Sequence, residues 1–216
     1  MKAIRRRPLA VIGLAGGLLA GPALAGCGEP EYQYPHDSAE GVYFKVPRSW
    51  TVFDETETFY EDRVDGGSTA QPVRVWVLDS NRPADPANLD DANGDEPVGI
   101  AQIIALSPGL AENVSISSVR SIGFEFDPVA PATGLEDTWE VVIDQQMRTE
   151  DGISGAVAVF NYRDTADDPW LSQAREVFLD PTRQRVYLLD VYCSSSCFEQ
   201  HQDDIYDIID SWRIDL

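Results

Sequence analysis

The fold of this chain is decided by residues 185–212, which read RVYLLDVYCSSSCFEQHQDDIYDIIDSW. The apolar run Arg185–Tyr192 predicts a buried strand, and two cysteines follow it directly. After the second cysteine the apolar residues repeat with the period of a helix. One face of that helix carries Phe198, Ile205, Ile208, Ile209 and Trp212, and the other face is mostly acidic. A strand followed by an amphipathic helix predicts a helix that packs on a sheet.

Two hairpins and a central strand are predicted upstream. Glu176–Leu179 pairs with Arg185–Tyr192 through a turn at Asp180–Arg183, and Trp139–Arg163 forms a hairpin around Asp151-Gly152. In the first strand of that hairpin, one face is expected to hold Trp139, Val141, Ile143 and Met147. Val98–Leu106 is apolar on both faces, which is typical of a strand inside a sheet. The fold class indicated is α+β, in one domain.

The N-terminus has the three parts of a secretory signal peptide. Three arginines, Arg5–Arg7, precede an apolar run from Leu9 to Leu19, which is shorter than the roughly 20 residues that a membrane span needs. Small residues follow, and Leu24–Cys27 reads LAGC, which resembles the bacterial lipobox. That resemblance implies cleavage before Cys27 and transfer of a diacylglyceryl group to its sulfur, with further acylation by chains such as palmitate.

These features divide the chain into three segments. Residues 1–26 are the predicted lipoprotein signal peptide, 27–40 the lipidated cysteine with a flexible, polar tether, and 41–216 a single domain. The predicted location is the extracytoplasmic face of the cell membrane, and the predicted membrane contact is the lipid on Cys27.

The charge of the chain is strongly negative. It holds 37 acidic against 16 basic residues, a net charge of −21. Residues 1–26 contain four of the basic residues and no acid, which leaves −25 on the remainder. A chain this acidic is a poor match for phosphate backbones, so we expect no nucleic-acid partner.

Cys193 and Cys197 are expected to form a disulfide, since an oxidising compartment favours pairing of close cysteines. Two alternatives stay open from the sequence. One is a metal site in which His201, one helical turn after Cys197, joins both sulfurs, although no nearby fourth ligand is present. The other is a reactive thiol at the start of the helix.

An acidic loop at Asp90–Glu96 is a candidate calcium site. Asp91, Asn93 and Asp95 match the first three ligand positions of an EF-hand loop. The match then ends, because Glu96 stands where the turn needs glycine and Gln102 stands where a bidentate glutamate is needed. We therefore expect a solvated turn here and no cofactor, with calcium as the alternative.

Catalytic motifs are scarce in this sequence. It has two histidines, His36 and His201, and it contains neither a Gly-x-Ser-x-Gly elbow nor a phosphate-binding loop. Trp170, which follows Asp167, Asp168 and Pro169 in a predicted loop, is a candidate contact for a ligand or a partner.

Three stretches resemble one family. They are Gly41–Trp50 (GVYFKVPRSW), Val186–Phe198 (VYLLDVYCSSSCF) and Ile205–Arg213 (IYDIIDSWR). The first resembles the opening strand of PsbP-like domains, and the other two resemble the late strand, cysteine pair and closing helix of LpqN-type actinobacterial cell-envelope lipoproteins. The resemblance implies an α/β/α sandwich around an antiparallel sheet, over residues 41–216, without a shared catalytic motif.

The function expected from these observations is that of a non-enzymatic, lipid-anchored envelope protein that binds an envelope protein or a lipidic or glycan ligand. A calcium-dependent adhesion or assembly module through Asp91, Asn93 and Asp95 is one alternative. An extracytoplasmic hydrolase or a thiol-redox enzyme centred on Cys193 and Cys197 is the other. A hollow in the domain would favour a lipid or another small molecule, and a filled core would favour a protein partner.

Overall fold

A computed structural model of the chain describes residues 30–65, 70–91, 94–131, 133–135, 137–149 and 151–215. The strands are β1 Tyr32–Gln33, β2 His36–Asp37, β3 Val42–Tyr43, β4 Val46–Pro47, β5 Thr51–Asp54, β6 Ala70–Asp79, β7 Val98–Leu106, β8 Trp139–Arg148, β9 Ser154–Tyr162, β10 Leu171–Leu179, β11 Arg185–Ser194 and β12 Arg213–Ile214. The helices are α1 Thr56–Asp65, α2 Pro108–Ala111, α3 Ile116–Arg120, α4 Ser195–Gln200 and α5 Gln202–Ile209, with a 3₁₀ helix at Pro86–Asp90. The predicted signal peptide and Cys27 lie outside the described residues.

An antiparallel sheet of seven strands forms the centre of the fold. Its order is β5-β6-β7-β11-β10-β9-β8. The two predicted hairpins are β8–β9 and β10–β11, and both are confirmed. The predicted central strand is β7, which pairs with β6 on one side and β11 on the other. Seven of its nine residues are buried, and except for Gln102 the strand carries no polar side chain, so β7 does not alternate between apolar and polar residues.

Short elements cover both faces of the sheet. On one face, here called the helix face, α5 and the N-terminal strands bury a core that includes Phe44, Trp76, Tyr187, Ile208 and Trp212. On the opposite face, α3 covers a smaller cluster that includes Ile104, Val119, Val177 and Leu188. The arrangement is the predicted α+β fold, with an antiparallel sheet between two helical layers.

A β-bulge in β8 corrects the predicted face of that strand. Val141 lies opposite Phe160 and Ile143 lies opposite Val159, so residue 142 is the extra residue. Phe160 and Val159 are neighbours in β9, so their side chains point to opposite sides of the sheet. Their partners in β8, Val141 and Ile143, therefore also lie on opposite sides. Trp139 and Val141 share one face, whereas Ile143 and Met147 lie on the other, which is the helix face.

The segment predicted as a flexible tether is partly built into the fold. Residues 32–33 pair with β4, and residues 36–37 pair with β3. The hydroxyl of Tyr32 donates to Asp207 Oδ2 at 2.7 Å, and Asp37 accepts from Arg74 Nε at 3.0 Å. The prediction was wrong for these residues because a polar composition with prolines does not prevent short antiparallel pairing with strands that follow closely in the chain.

The predicted C-terminal helix is present in two pieces. It is interrupted at His201, between α4 and α5, and Trp212 follows the end of α5 as a fully buried side chain. The elements that build both cores all lie between residues 30 and 215. We therefore expect residues 28–216 to fold without the predicted signal peptide.

Candidate functional site

The helix face of the sheet is wider than the elements that cover it. Seven strands spaced about 4.8 Å apart span about 29 Å, whereas one helix with its side chains is about 10–12 Å across. Helix α5 lies over β10 and β11 and reaches β4. The outer strands β8 and β9 therefore extend beyond it, and the space beside the helix is open.

This space is a groove of about 570 Å³ between the outer strands and the C-terminal segment. Its floor comes from β8, β9 and β10, and its wall comes from α5 and the residues after it. The lining residues are Ile143, Gln145, Met147, Thr149, Ile153, Val157, Glu176, Phe178, Tyr206, Ile209, Asp210, Trp212, Arg213 and Ile214. The volume falls within the range of about 300–1,000 Å³ that is usual for small-molecule sites, and the lining is mainly apolar.

Two buried polar atoms of the groove residues lack hydrogen-bond partners. They are Oε2 of Glu176 and Nε1 of Trp212, whose residues are 5% and 1% exposed. Buried polar groups are almost always hydrogen-bonded in proteins, and an unpaired one costs free energy. The groove residues thus include a carboxyl oxygen and an indole N–H whose hydrogen-bonding capacity the described side chains and backbone do not satisfy.

The electrostatics of the groove depend on Glu176. Burial among apolar side chains raises the pKa of its carboxyl group to about 8, because desolvation penalises the charged form. Arg213 lowers this pKa and Asp210 raises it, as smaller effects. At neutral pH the carboxyl group is thus mainly protonated, and it can donate as well as accept a hydrogen bond.

Close packing of the groove floor depends on Gly155 in β9. Glycine leaves room there for the ring of Phe178, which lies across it on β10 and lines the groove. A Cβ atom at this position would also lie 2.9 Å from the carbonyl oxygen of Val177. The absence of a side chain at residue 155 therefore helps to set the position of Phe178.

The two C-terminal cysteines form a disulfide that joins the end of β11 to α4. The Cα atoms of Cys193 and Cys197 are 5.9 Å apart, and both residues are 1% exposed. The predicted pairing is present. It uses both sulfurs, so the alternative metal site with His201 does not form. The burial of the pair also argues for a structural bridge rather than an exchanging one.

The acidic loop shows no calcium geometry in the part that the structure describes. Asp91 and Asp95 are exposed, and Asn93 lies outside the described residues. Among the described residues, no group of three or more histidine, cysteine or acidic side chains could hold a metal ion. Calcium binding by Asp91, Asn93 and Asp95 stays a prediction that calorimetric titration would test.

Trp170 lies apart from the groove. Its ring is partly exposed and stacks under the guanidinium group of Arg163, 4.5 Å from the ring centroid. The carbonyl oxygen of Trp170 accepts from the backbone N–H of Ser195 at 2.9 Å. Its role as a ligand or partner contact stays a prediction, at a place separate from the groove lining.

Sequence reasoning missed the groove residues. Glu176 sits opposite Leu189 and Val157, two apolar neighbours on adjacent strands. The predicted pairing of Glu176–Leu179 with Arg185–Tyr192 could have indicated this apolar surrounding. The cover by the C-terminal segment is a long-range contact, however, and no local pattern shows it.

The comparisons with known proteins concern the fold. No family model matches the chain, and no curated protein matches it either. Among solved structures, it is similar to PsbP (CyanoP) from Synechocystis sp. PCC 6803, at 14% identity and a TM-score of 0.49, over 92% of this chain and 100% of that one. It is also similar to LpqN of Mycobacterium tuberculosis, a protein involved in cell envelope biogenesis. The identity is 15% and the TM-score 0.47, over 86% of this chain and 91% of that one.

A third similar structure is the Ran-binding protein Mog1p of Saccharomyces cerevisiae, at 10% identity and a TM-score of 0.42, over 85% of this chain and 95% of that one. The first two structures are of the kinds of protein that three stretches of the sequence resemble. At these identities and TM-scores the likeness carries no conclusion about ligands or partners. In the described part of the chain, no helix is long and apolar enough to cross a membrane.

Proposed function

We propose that this chain is a non-enzymatic lipoprotein of the cell envelope, anchored through Cys27, that holds an apolar ligand in the groove beside α5. The observation that carries the proposal is the groove itself, an open space of about 570 Å³ lined mainly by apolar side chains. The sequence left a protein, a lipid and a glycan open as partners. An apolar lining suits a lipid better than a glycan, whose many hydroxyl groups need polar partners.

The non-enzymatic part of the proposal is supported by the chemistry of the groove. Among the described residues, the lining includes neither histidine nor cysteine nor serine, and its two acidic members, Glu176 and Asp210, lie close to one basic residue, Arg213. Neither Cys193 nor Cys197 lines the groove, and their sulfurs are bonded to each other. These groups support binding more directly than a nucleophilic or redox reaction.

The test is native mass spectrometry of residues 28–216 purified from a bacterial envelope. We expect a co-purifying mass of lipid size on the wild-type protein. Ile143→Trp, which places a larger side chain in the groove, should remove that mass. The matched control is Leu110→Trp, because Leu110 is an exposed aliphatic residue that lines a separate cavity of about 300 Å³ on the opposite face.

Two results would count against the proposal. One is a bare protein mass for the wild type, both as purified and after incubation with envelope lipid extract. The other is a lipid adduct that survives Ile143→Trp and disappears with Leu110→Trp, since that pattern would move the site to the opposite face.

A further inference from the structure

Among the described residues, the floor of the groove holds one ionisable side chain, Glu176, and this limits the ligands that the groove can accept. Glu176 is 5% exposed, and its Oε2 atom has no hydrogen-bond partner. Burying an ionised carboxylate without a partner costs far more than burying the neutral acid. The apolar surroundings in the groove therefore favour the neutral form of Glu176.

Within the part of the chain that the structure describes, no cation pairs with this carboxyl group. Arg213 is the basic residue of the described lining, and its Nη1 atom donates to the backbone carbonyls of Asp210 and Trp212, at 2.8 Å each. Arg213 is exposed and forms no ion pair with Glu176 within 4.0 Å. Its charge lies at the rim of the groove, beside the opposite charge of Asp210.

A ligand must therefore satisfy a neutral carboxyl group inside an apolar groove. An anionic head group would enter a groove in which the one cation of the described lining, Arg213, lies at the rim beside Asp210, on a chain that is already strongly acidic. A cationic head group would have to lose its hydration to pair with a buried carboxylate, and such pairs often give no net stabilisation. A hydroxyl or an amide group can pair with the neutral carboxyl group at a smaller desolvation cost.

We propose that the ligand is an uncharged single-chain lipid whose hydroxyl or amide group hydrogen-bonds to Glu176. Its chain lies against the apolar lining formed by Met147, Val157 and Phe178. The indole N–H of Trp212 is a second donor on the same groove for an oxygen of the ligand head group. This inference rests on the proposed function, because it specifies the ligand class of the same groove.

The experiment compares four ligands with the same twelve-carbon chain: dodecanol, dodecanamide, laurate and dodecylammonium. Affinities are measured at about pH 6.5, where Glu176 is protonated, by displacement of an apolar fluorescent dye from residues 28–216. We expect dodecanol and dodecanamide to bind at least about tenfold more tightly than laurate and dodecylammonium. A factor of this size corresponds to the gain of one hydrogen bond or to the cost of desolvating one ionic group.

Two variants locate the effect at Glu176. Glu176→Gln keeps a neutral hydrogen-bonding group and should leave dodecanol affinity within about threefold of wild type. Glu176→Leu removes the hydrogen bond and should weaken dodecanol about tenfold, while leaving dodecane, which has no head group, at least as tightly bound. Dodecane binding also shows that the Leu variant is folded with an open groove.

The outcomes separate this inference from the proposed function. If none of the chains displaces the dye, and dodecane does not either, the groove is not a lipid site and both fall. If laurate or dodecylammonium binds most tightly, or if Glu176→Leu binds dodecanol as well as wild type does, the groove remains a site but the ligand class proposed here is wrong.

Discussion

Arg175 links several elements on the opposite face of the sheet. Its guanidinium group makes two hydrogen bonds to the carboxylate of Asp190, at 2.7 and 2.6 Å. It also donates to the backbone carbonyls of Arg120 and Ile122, at 2.6 Å each. The single side chain thus joins β10, β11 and the end of α3 in a buried place, where neither partner of the ion pair is more than 5% exposed.

Replacing Arg175 by alanine should therefore destabilise the fold strongly. The change leaves the carboxylate of Asp190 buried and unpaired, for which we expect a loss of about 3–5 kcal/mol in the free energy of unfolding. Urea denaturation measures it. The double variant Arg175→Met with Asp190→Leu removes both charges and should recover most of the loss. If Arg175→Ala lowers the free energy of unfolding by less than about 1 kcal/mol, the ion pair does not stabilise the fold in this way.

Glu176 should make the stability of the protein depend on pH. Its pKa is about 8 in the fold, against an ordinary value of 4.5, and the charged or titratable residues around it are Asp210, Arg213 and Tyr206. Between these two values the unfolded chain loses the proton while the folded chain keeps it. The contribution of Glu176 is therefore fully present below about pH 4.5 and is lost as the pH rises to about 8, by about 1.4 kcal/mol per pH unit.

The measurement is the difference in the free energy of unfolding between wild type and Glu176→Gln across this range. Because the amide does not titrate, the variant should gain stability relative to wild type as the pH rises from about 4.5 to 8, and the gain should level off above that. If the free energies of unfolding of wild type and Glu176→Gln change with pH in parallel, burial does not hold the carboxyl group of Glu176 neutral.

These residues show which parts of a site a sequence can predict. The disulfide was predictable because Cys193 and Cys197 are close in the chain, and their pairing needs only a local turn. The burial of Glu176 was not predictable, since an acidic residue in a strand normally points to solvent. Its burial comes from residues 206–214, about 30 positions later, and a contact of that range leaves no local pattern.

At the scale of elements, the pairing of β9 with β10 depends on Gly155. A Cβ atom there would meet the ring of Phe178 and the backbone at Val177. We expect Gly155→Ala to lower the free energy of unfolding by about 1–3 kcal/mol, as overpacking does in a filled core. Thermal denaturation followed by circular dichroism would measure it.

Gly109 provides a matched control for this change. It lies in α2, and an added Cβ atom would have no heavy atom within 4 Å. Gly109→Ala should be neutral or slightly stabilising, since alanine favours helix over glycine by up to about 1 kcal/mol. If both variants lose the same free energy of unfolding, the destabilisation by Gly155→Ala does not come from the contact with Phe178.

Hairpins and the central strand were predictable at this scale because alternation and turn residues are local. The β8 bulge was not, although it decides which side chains reach the groove. Trp139 and Ile143 fit one alternating pattern in the sequence, yet the extra residue at position 142 separates them onto opposite faces. A single unpaired residue leaves the apolar pattern almost unchanged, so periodicity alone cannot detect it.

At the scale of the whole molecule, the predicted anchor is a single residue. Cys27→Ser in the full-length chain removes the sulfur that the lipobox resemblance marks for lipidation. We expect the variant to lose incorporation of labelled palmitate in a bacterial host and to leave the membrane fraction, because two acyl chains on one residue provide a stable anchor. A variant that stays with the membrane to the same extent as wild type would contradict the prediction.

The fold class followed from the order of elements, and the open groove follows from their sizes. A short helix that covers part of a wide sheet leaves room for a ligand, and this is a property of the assembled molecule rather than of any segment. The central claim is therefore that the groove takes up an apolar ligand.

The most direct test uses the methyl group of Met147. Met1 and Met147 are the two methionines of the chain, so residues 28–216, exported behind a cleavable leader, carry one labelled methionine signal in an NMR spectrum, and it lies in the groove. We expect dodecanol to shift this signal in the wild-type protein and to leave it unchanged in Ile143→Trp. A wild-type protein that binds dodecanol while the Met147 signal stays in place would contradict binding in the groove.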